Sequence, residues 1–88
     1  MAFGKDGRVT SVDLVFKDLY GGIDLSGFTS LKSVDISSNY ISTVTITDCT
    51  ALTDLDISDN EITALDISSN TALENVNFSN NDIESIDL

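Results

Sequence analysis

The sequence predicts a mostly β solenoid of about four coils, with parallel sheets and little or no helix. Three observations carry this. One frame of apolar positions returns every 21 residues: Leu31, Val34, Ile36, Ile41, Val44 and Ile46, then Leu52, Leu55, Ile57, Ile62, Leu65 and Ile67, then Leu73, Val76, Phe78, Ile83, Ile86 and Leu88. Each unit holds two apolar-polar-apolar triplets, and the triplets recur every 10 or 11 residues. Such alternation reads as a half-buried strand, and the stretches between triplets are rich in Ser, Asn, Asp, Thr and Gly, which favour turns. No stretch has a helical period.

Taken in order, residues 1–8 are an N-terminal extension without pattern, with a turn expected at Gly7. A single domain follows, with coils at roughly 9–30, 31–51, 52–72 and 73–88. The first coil is imperfect. Lys17 stands where Asn39, Asn60 and Asn81 stand later, and Tyr20-Gly21-Gly22 adds one residue. A surface turn is expected to absorb it, because loop entropy changes slowly with length. The triplets centred on Asp13, Asp35, Asp56 and Asn77 define one parallel sheet of about four short strands. Those centred on Asp24, Thr45, Asp66 and Asp87 give a second, as strand or as irregular extended chain.

Charge narrows the function. The net charge is −11, and after Lys32 no basic residue remains. Such a surface repels nucleic acid and anionic lipid, which need clustered Lys and Arg. No apolar run approaches the roughly 18 residues of a membrane-spanning helix, and MAFGKDGR carries no hydrophobic signal segment.

The side chains point to architecture rather than chemistry. Asn39, Asn60 and Asn81, one per coil, are expected to form a structural ladder that satisfies turn backbone groups. Asn70 sits on the opposite turn, at a position shared with Cys49 and Phe28, which suggests an inward site filled by packing. Cys49 has no His to activate it and reads as a small buried hydrophobe. Asp13, Asp35, Asp56 and Asn77 should share one outward face with Asp54 and Asn75, flanked by Ser37, Ser58 and Ser79. Like charges one rung apart are unfavourable. The carboxylates therefore have raised pKa values, splay apart, or meet a cation or a basic partner. The run Asp54-Leu55-Asp56-Ile57-Ser58 mimics the start of a Ca²⁺ loop, but Asp59 and Leu65 occupy the positions that need Gly and Glu. No metal ligand set, cofactor motif or nucleophile-base pair is recognised.

The frame Leu52-x-x-Leu55-x-Ile57-x-x-Asn60-x-Ile62 resembles the leucine-rich repeat, and its continuation through Leu65, Asp66 and Ile67 is similar to the short 21-residue class of bacterial proteins, the IRREKO-like repeats. The likeness runs from Val9 to Leu88. It implies a right-handed solenoid whose first triplets line a concave sheet and whose asparagines bond neighbouring turns. The phrase Gly7-Arg8-Val9-Thr10-Ser11-Val12-Asp13-Leu14 also resembles the beginning of longer ectodomains of that family, which implies an extracellular or bacterial cell-surface parent. The chain lacks the cysteine-bearing caps of many such members and stops inside a triplet, as an excised fragment or a designed version would. The resulting expectation is a non-catalytic protein-binding or scaffold module that binds a protein through its strand face. The alternatives are a structural repeat protein that self-associates through uncapped terminal coils, as a twofold homodimer, and a cation-binding acidic solenoid.

Overall fold

The computed structural model describes residues 9–88. The N-terminal extension and the turn expected at Gly7 lie outside the described residues. Eight strands follow: β1 (Ser11–Asp13), β2 (Tyr20–Asp24), β3 (Ser33–Asp35), β4 (Tyr40–Thr45), β5 (Asp54–Asp56), β6 (Ala64–Asp66), β7 (Asn75–Asn77) and β8 (Ser85–Asp87). Every pairing is parallel, and the described residues form no helix. The molecule is a β-solenoid in which each coil contributes one strand to the front and one to the rear.

The front sheet has the order β1-β3-β5-β7. Its register is unbroken, with Val12, Val34, Leu55 and Val76 stacked one above the next. These centres point into the molecule because side chains alternate along a strand.

The rear departs from the expected four-stranded sheet. It is divided into two pairs, β2-β4 and β6-β8. In the paired coils, the N–H of Leu25 donates to the Thr45 carbonyl at 2.8 Å and that of Ile67 to the Asp87 carbonyl at 2.9 Å. No equivalent bond joins Ile46 to Asp66. The turn that follows differs as well. Gly27 and Asp48 adopt positive φ (85° and 64°), whereas Ser69, one coil later, does not. The Gly27 N–H donates to the Thr47 carbonyl at 3.1 Å, whereas the Asp48 N–H donates to the Ser69 hydroxyl, at 3.4 Å.

A second correction concerns Tyr20-Gly21-Gly22. These residues are not a surface turn but the start of β2. The extra length of the first coil lies before β2, between Asp13 and Tyr20; the pairing with β4 then jumps between Gly21 and Gly22 and leaves Ser42 without an opposite residue. Glycine permits the bulge. Gly21 has φ +79°, and a Cβ on Gly22 would stand 2.7 Å from the Thr43 hydroxyl oxygen.

The core lies between the two faces. Leu31, Ile36 and Ile41 of the second coil and Leu52, Ile57 and Ile62 of the third are fully buried. Each is covered by a coil above and a coil below. Burial of one such side chain contributes about 1.5–3 kcal/mol before chain entropy is counted. In the terminal coils the same positions are less covered: Leu14 and Leu19 are half-buried, and Phe78 is 42% exposed.

Candidate functional site

The front sheet sets two outward columns. One runs Ser11, Ser33, Asp54, Asn75, and the other Asp13, Asp35, Asp56, Asn77. Neighbouring members are one strand spacing apart, about 4.8 Å. Above the later strands is an open groove of about 620 Å³, lined by Ser33, Asp35, Asp54, Asp56, Glu74 and Asn77 among others, with no Lys or Arg.

Local hydrogen bonds make this density of carboxylates tolerable. Asp35 Oδ1 accepts from the Ser37 N–H at 3.1 Å and the Ser37 hydroxyl at 2.7 Å. Asp56 Oδ1 accepts in the same way from Ser58, at 3.0 and 2.6 Å. Asn77 repeats the arrangement with Ser79, at 3.1 and 2.8 Å. Asp13 is followed by Leu14-Val15 rather than by a serine, and keeps only the Val15 N–H at 3.4 Å. In each clamp one carboxylate oxygen, Oδ1 of Asp35 and of Asp56, is satisfied locally. Asp54 is braced across strands: its Oδ1 accepts the Asn75 amide at 2.7 Å and its Oδ2 the Thr53 hydroxyl at 3.0 Å.

The clamps also decide which of the expected face residues are reachable. Asp13, Asp54, Asn75, Asn77 and Ser79 are exposed, and Asp35 and Asp56 are half-buried. Ser37 and Ser58 are buried beneath the carboxylates they serve. The same clamp on the rear, Ser68 to Asp66, holds the Asp66 carboxyl below its ordinary range, first through the hydroxyl and then through the backbone N–H. The recurring Asp-x-Ser of Asp35, Asp56 and Asp66 is a signal for this device that the apolar frame hides.

Behind the groove, three asparagines tie the coils together. Asn60 donates through Nδ2 to the carbonyls of Ile57 and Ser58 in its own turn and of Ile36 in the previous coil, at 3.0–3.1 Å. Its Oδ1 accepts the Ile41 N–H at 2.9 Å. Asn39 reaches back to the Leu14 carbonyl and takes the N–H groups of Lys17 and Leu19. Asn81 reaches back to the Ile57 carbonyl and takes the Ile62 N–H. On the opposite turn Phe28, Cys49 and Asn70 are stacked and buried. The Cys49 thiol donates to the Leu25 carbonyl at 3.0 Å, and burial pushes its pKa up. The Asn70 amide donates to the Ile46 carbonyl at 2.9 Å, while its Oδ1 has no partner. Among the described residues, no group of three or more His, Cys, Asp or Glu side chains could hold a metal ion.

Short parallel strands, an asparagine at the same place in the second, third and fourth coils and an open strand face define a repeat solenoid. Residues 30–52 match a family model described as Leucine Rich Repeat, and residues 48–69 match a second, described as Leucine Rich repeat. Together the two matches span residues 30–69, and that stretch carries leucine-rich repeats. Repeats of this family generally serve as non-enzymatic scaffolds for protein-protein interaction. Neither the curated proteins nor the solved structures yield a match.

Proposed function

We propose that the chain is a non-catalytic binding module that takes a basic protein segment across the front sheet. One observation carries the reading. The groove over β3, β5 and β7 presents Asp35, Asp54 and Asp56 on adjacent rungs, with no cation of its own to neutralise them. Arginine or lysine side chains of a partner supply that charge, and a guanidinium can pair with a carboxylate through two bonds. The asparagine column and the serine clamps hold the carboxylates in place before the partner arrives, which lowers the ordering cost of binding. No reactive group serves catalysis in this reading: Cys49 is buried with a raised pKa, and the sequence has no His.

The test is binding of an Arg/Lys-rich peptide to the wild-type chain and to the triple variant Asp35→Ala, Asp54→Ala, Asp56→Ala. The variant should bind at least about tenfold more weakly, and the wild-type affinity should fall with salt. Equal affinities for the two chains would remove this surface from consideration.

A second reading rests on the terminal coils. Phe78, Ile86 and Leu88 are exposed, although their counterparts in the third coil, Ile57, Leu65 and Ile67, are buried or half-buried. Among the described residues nothing covers the outer edges of β7 and β8. Uncovered edges of this kind associate, and a homodimer through the terminal coils follows from this reading.

A further inference from the structure

We infer that the edge where the front of the solenoid turns into the rear is a docking surface for an arginine-bearing segment, centred on Phe16, Tyr20 and Tyr40. This edge is separate from the front sheet and does not depend on the reading above.

The three rings are gathered around one side chain. Tyr20 and Tyr40 are register partners in β2 and β4, about 4.8 Å apart along the sheet. The loop before Tyr20 wraps the Asn39 amide. The N–H groups of Lys17 and Leu19 both donate to Asn39 Oδ1 at 3.0 Å, and that of Phe16 donates to the Ser37 carbonyl at 3.1 Å. Phe16 and Tyr20 are thereby pinned beside residues 37–40 before any partner arrives, which lowers the ordering cost of binding. The rings are 79% (Phe16), 85% (Tyr20) and 55% (Tyr40) exposed. Tyr40 is exposed sideways rather than at an end of the stack. It precedes the fully buried Ile41 in β4, so it points outward from a coil that has neighbours on both sides.

Backbone strain is the second argument. Phe16 has a φ of 59°, a conformation that Ser38, Asp59 and Asn80 hold in the later coils. Phenylalanine adopts it at a cost, and an exposed ring recovers little of that cost by packing. Strain and an exposed apolar ring at one residue mark a surface whose use lies outside the fold.

Charge decides the occupant. Asp59 and Glu61 bracket Tyr40 from the next coil: the Asn39 N–H donates to the Asp59 carbonyl at 3.2 Å, and the Glu61 N–H to the Ile41 carbonyl at 2.9 Å. Both are exposed, as is Asp18 in the loop, against a single base, Lys17. An anionic occupant is repelled, and an aliphatic one strips water from the carboxylates without pairing them. Arginine meets both halves of the surface. Its guanidinium plane stacks on a tyrosine face, and its N–H fork pairs a carboxylate. Lysine, a compact and strongly hydrated charge, lacks the stacking plane. Gly21 keeps the approach open, since a Cβ there would meet nothing within 4 Å.

Tyr20 and Tyr40 are the only tyrosines, and the chain has no Trp, so intrinsic tyrosine fluorescence reports on this edge alone. The wild type is titrated with an Arg-Ser repeat peptide and with its Lys-Ser counterpart, and calorimetry gives the affinities. The Arg peptide should change the fluorescence saturably and bind about tenfold more tightly than the Lys peptide. Tyr20→Ala with Tyr40→Ala, checked for folding by circular dichroism, should erase that preference. Phe16→Asn should weaken the Arg peptide about threefold while raising Tm, because it relieves the strain; a Phe16 that serves only the fold would lower Tm when replaced. The front-sheet variant Asp35→Ala, Asp54→Ala, Asp56→Ala should keep the preference and the fluorescence change, so the two surfaces fail or succeed separately. Equal affinities of the two peptides for the wild type, or an unchanged tyrosine signal, overturn the inference. So does a preference that survives in the tyrosine double variant or is lost in the front-sheet variant. If the double variant does not fold, Phe16→Asn decides: unchanged binding of the Arg peptide overturns the inference. A neutral proline-rich peptide that changes the tyrosine signal and binds as tightly as the Arg peptide overturns the cationic occupant.

Discussion

Asn60 shows how much of this fold rests on single side chains. Its amide closes its own turn and reaches the coil before it, and its carbonyl takes a buried N–H. Alanine there strands the buried Ile41 N–H and takes one of two donors from each of the Ile36, Ile57 and Ser58 carbonyls, which keep Asn39, Asn81 and the Ser38 N–H, so Asn60→Ala should cost about 2–4 kcal/mol. Asn81 makes the same set of bonds at a half-buried position, where water can replace the amide. Asn81→Ala should cost about 1–2 kcal/mol. Urea unfolding of the two variants measures the difference, and equal losses would show that burial does not set the value of the bonds. A neighbouring position carries strain. Phe16, Ser38, Asp59 and Asn80 each precede the column position and adopt φ of 56–59°. Asp and Asn tolerate that conformation; phenylalanine, with its bulky Cβ substituent, does so at a cost. The 21-residue spacing made the asparagines visible in the sequence. Their partners were not visible, because which carbonyl an amide meets depends on how far one coil is offset from the next.

At the scale of elements, the triplets mark every strand that forms, because an inward aliphatic between two outward polar residues has few other places to go. What the sequence did not show is the split in the rear sheet. It accompanies a change of backbone conformation at Ser69, which composition does not fix, since Ser is neither required nor forbidden at positive φ. The same limit applies to Tyr20-Gly21-Gly22, where two glycines suggested a turn and instead lie inside β2, opposite the register jump at Ser42. Ser37 and Ser58 illustrate a third case. Beside an aspartate on a strand they look like surface residues, yet the hydroxyl folds under the carboxylate and is buried. The split has a measurable consequence. The Leu25 and Ile67 N–H groups are bonded across the rear, and the Ile46 N–H has no equivalent bond to Asp66. Amide exchange should be faster at Ile46 than at Leu25 and Ile67, although all three lie at the same point of successive coils. Equal protection at the three sites would mean that the rear pairs close into one sheet in solution.

The molecule as a whole measures 31 × 27 × 17 Å and carries a net charge of −11. Those two quantities set its response to salt. At 0.01 M salt the Debye length is about 30 Å, so the acidic groups repel across the entire fold; at 0.15 M it is about 8 Å, and only near neighbours still interact. Near neighbours are the pairs that the serine clamps and the Asn75 amide already ease. The repulsion left over is the long-range part, which screening removes. The unfolded chain spreads the same charges over a larger volume and gains less from screening. Raising sodium chloride from 0.01 to 0.15 M should therefore stabilise the fold by about 1 kcal/mol, a rise in Tm of about 4–8 °C for a domain of this size. The melt belongs at micromolar protein, where association does not contribute. The triple variant Asp35→Ala, Asp54→Ala, Asp56→Ala should show a smaller salt response than the wild type, because it removes three of the 11 carboxylates that no base balances. A Tm that stays level or falls with salt would mean that local bonds, rather than distance, already offset the charge, and the acidic face would then have no unmet demand for a cationic partner.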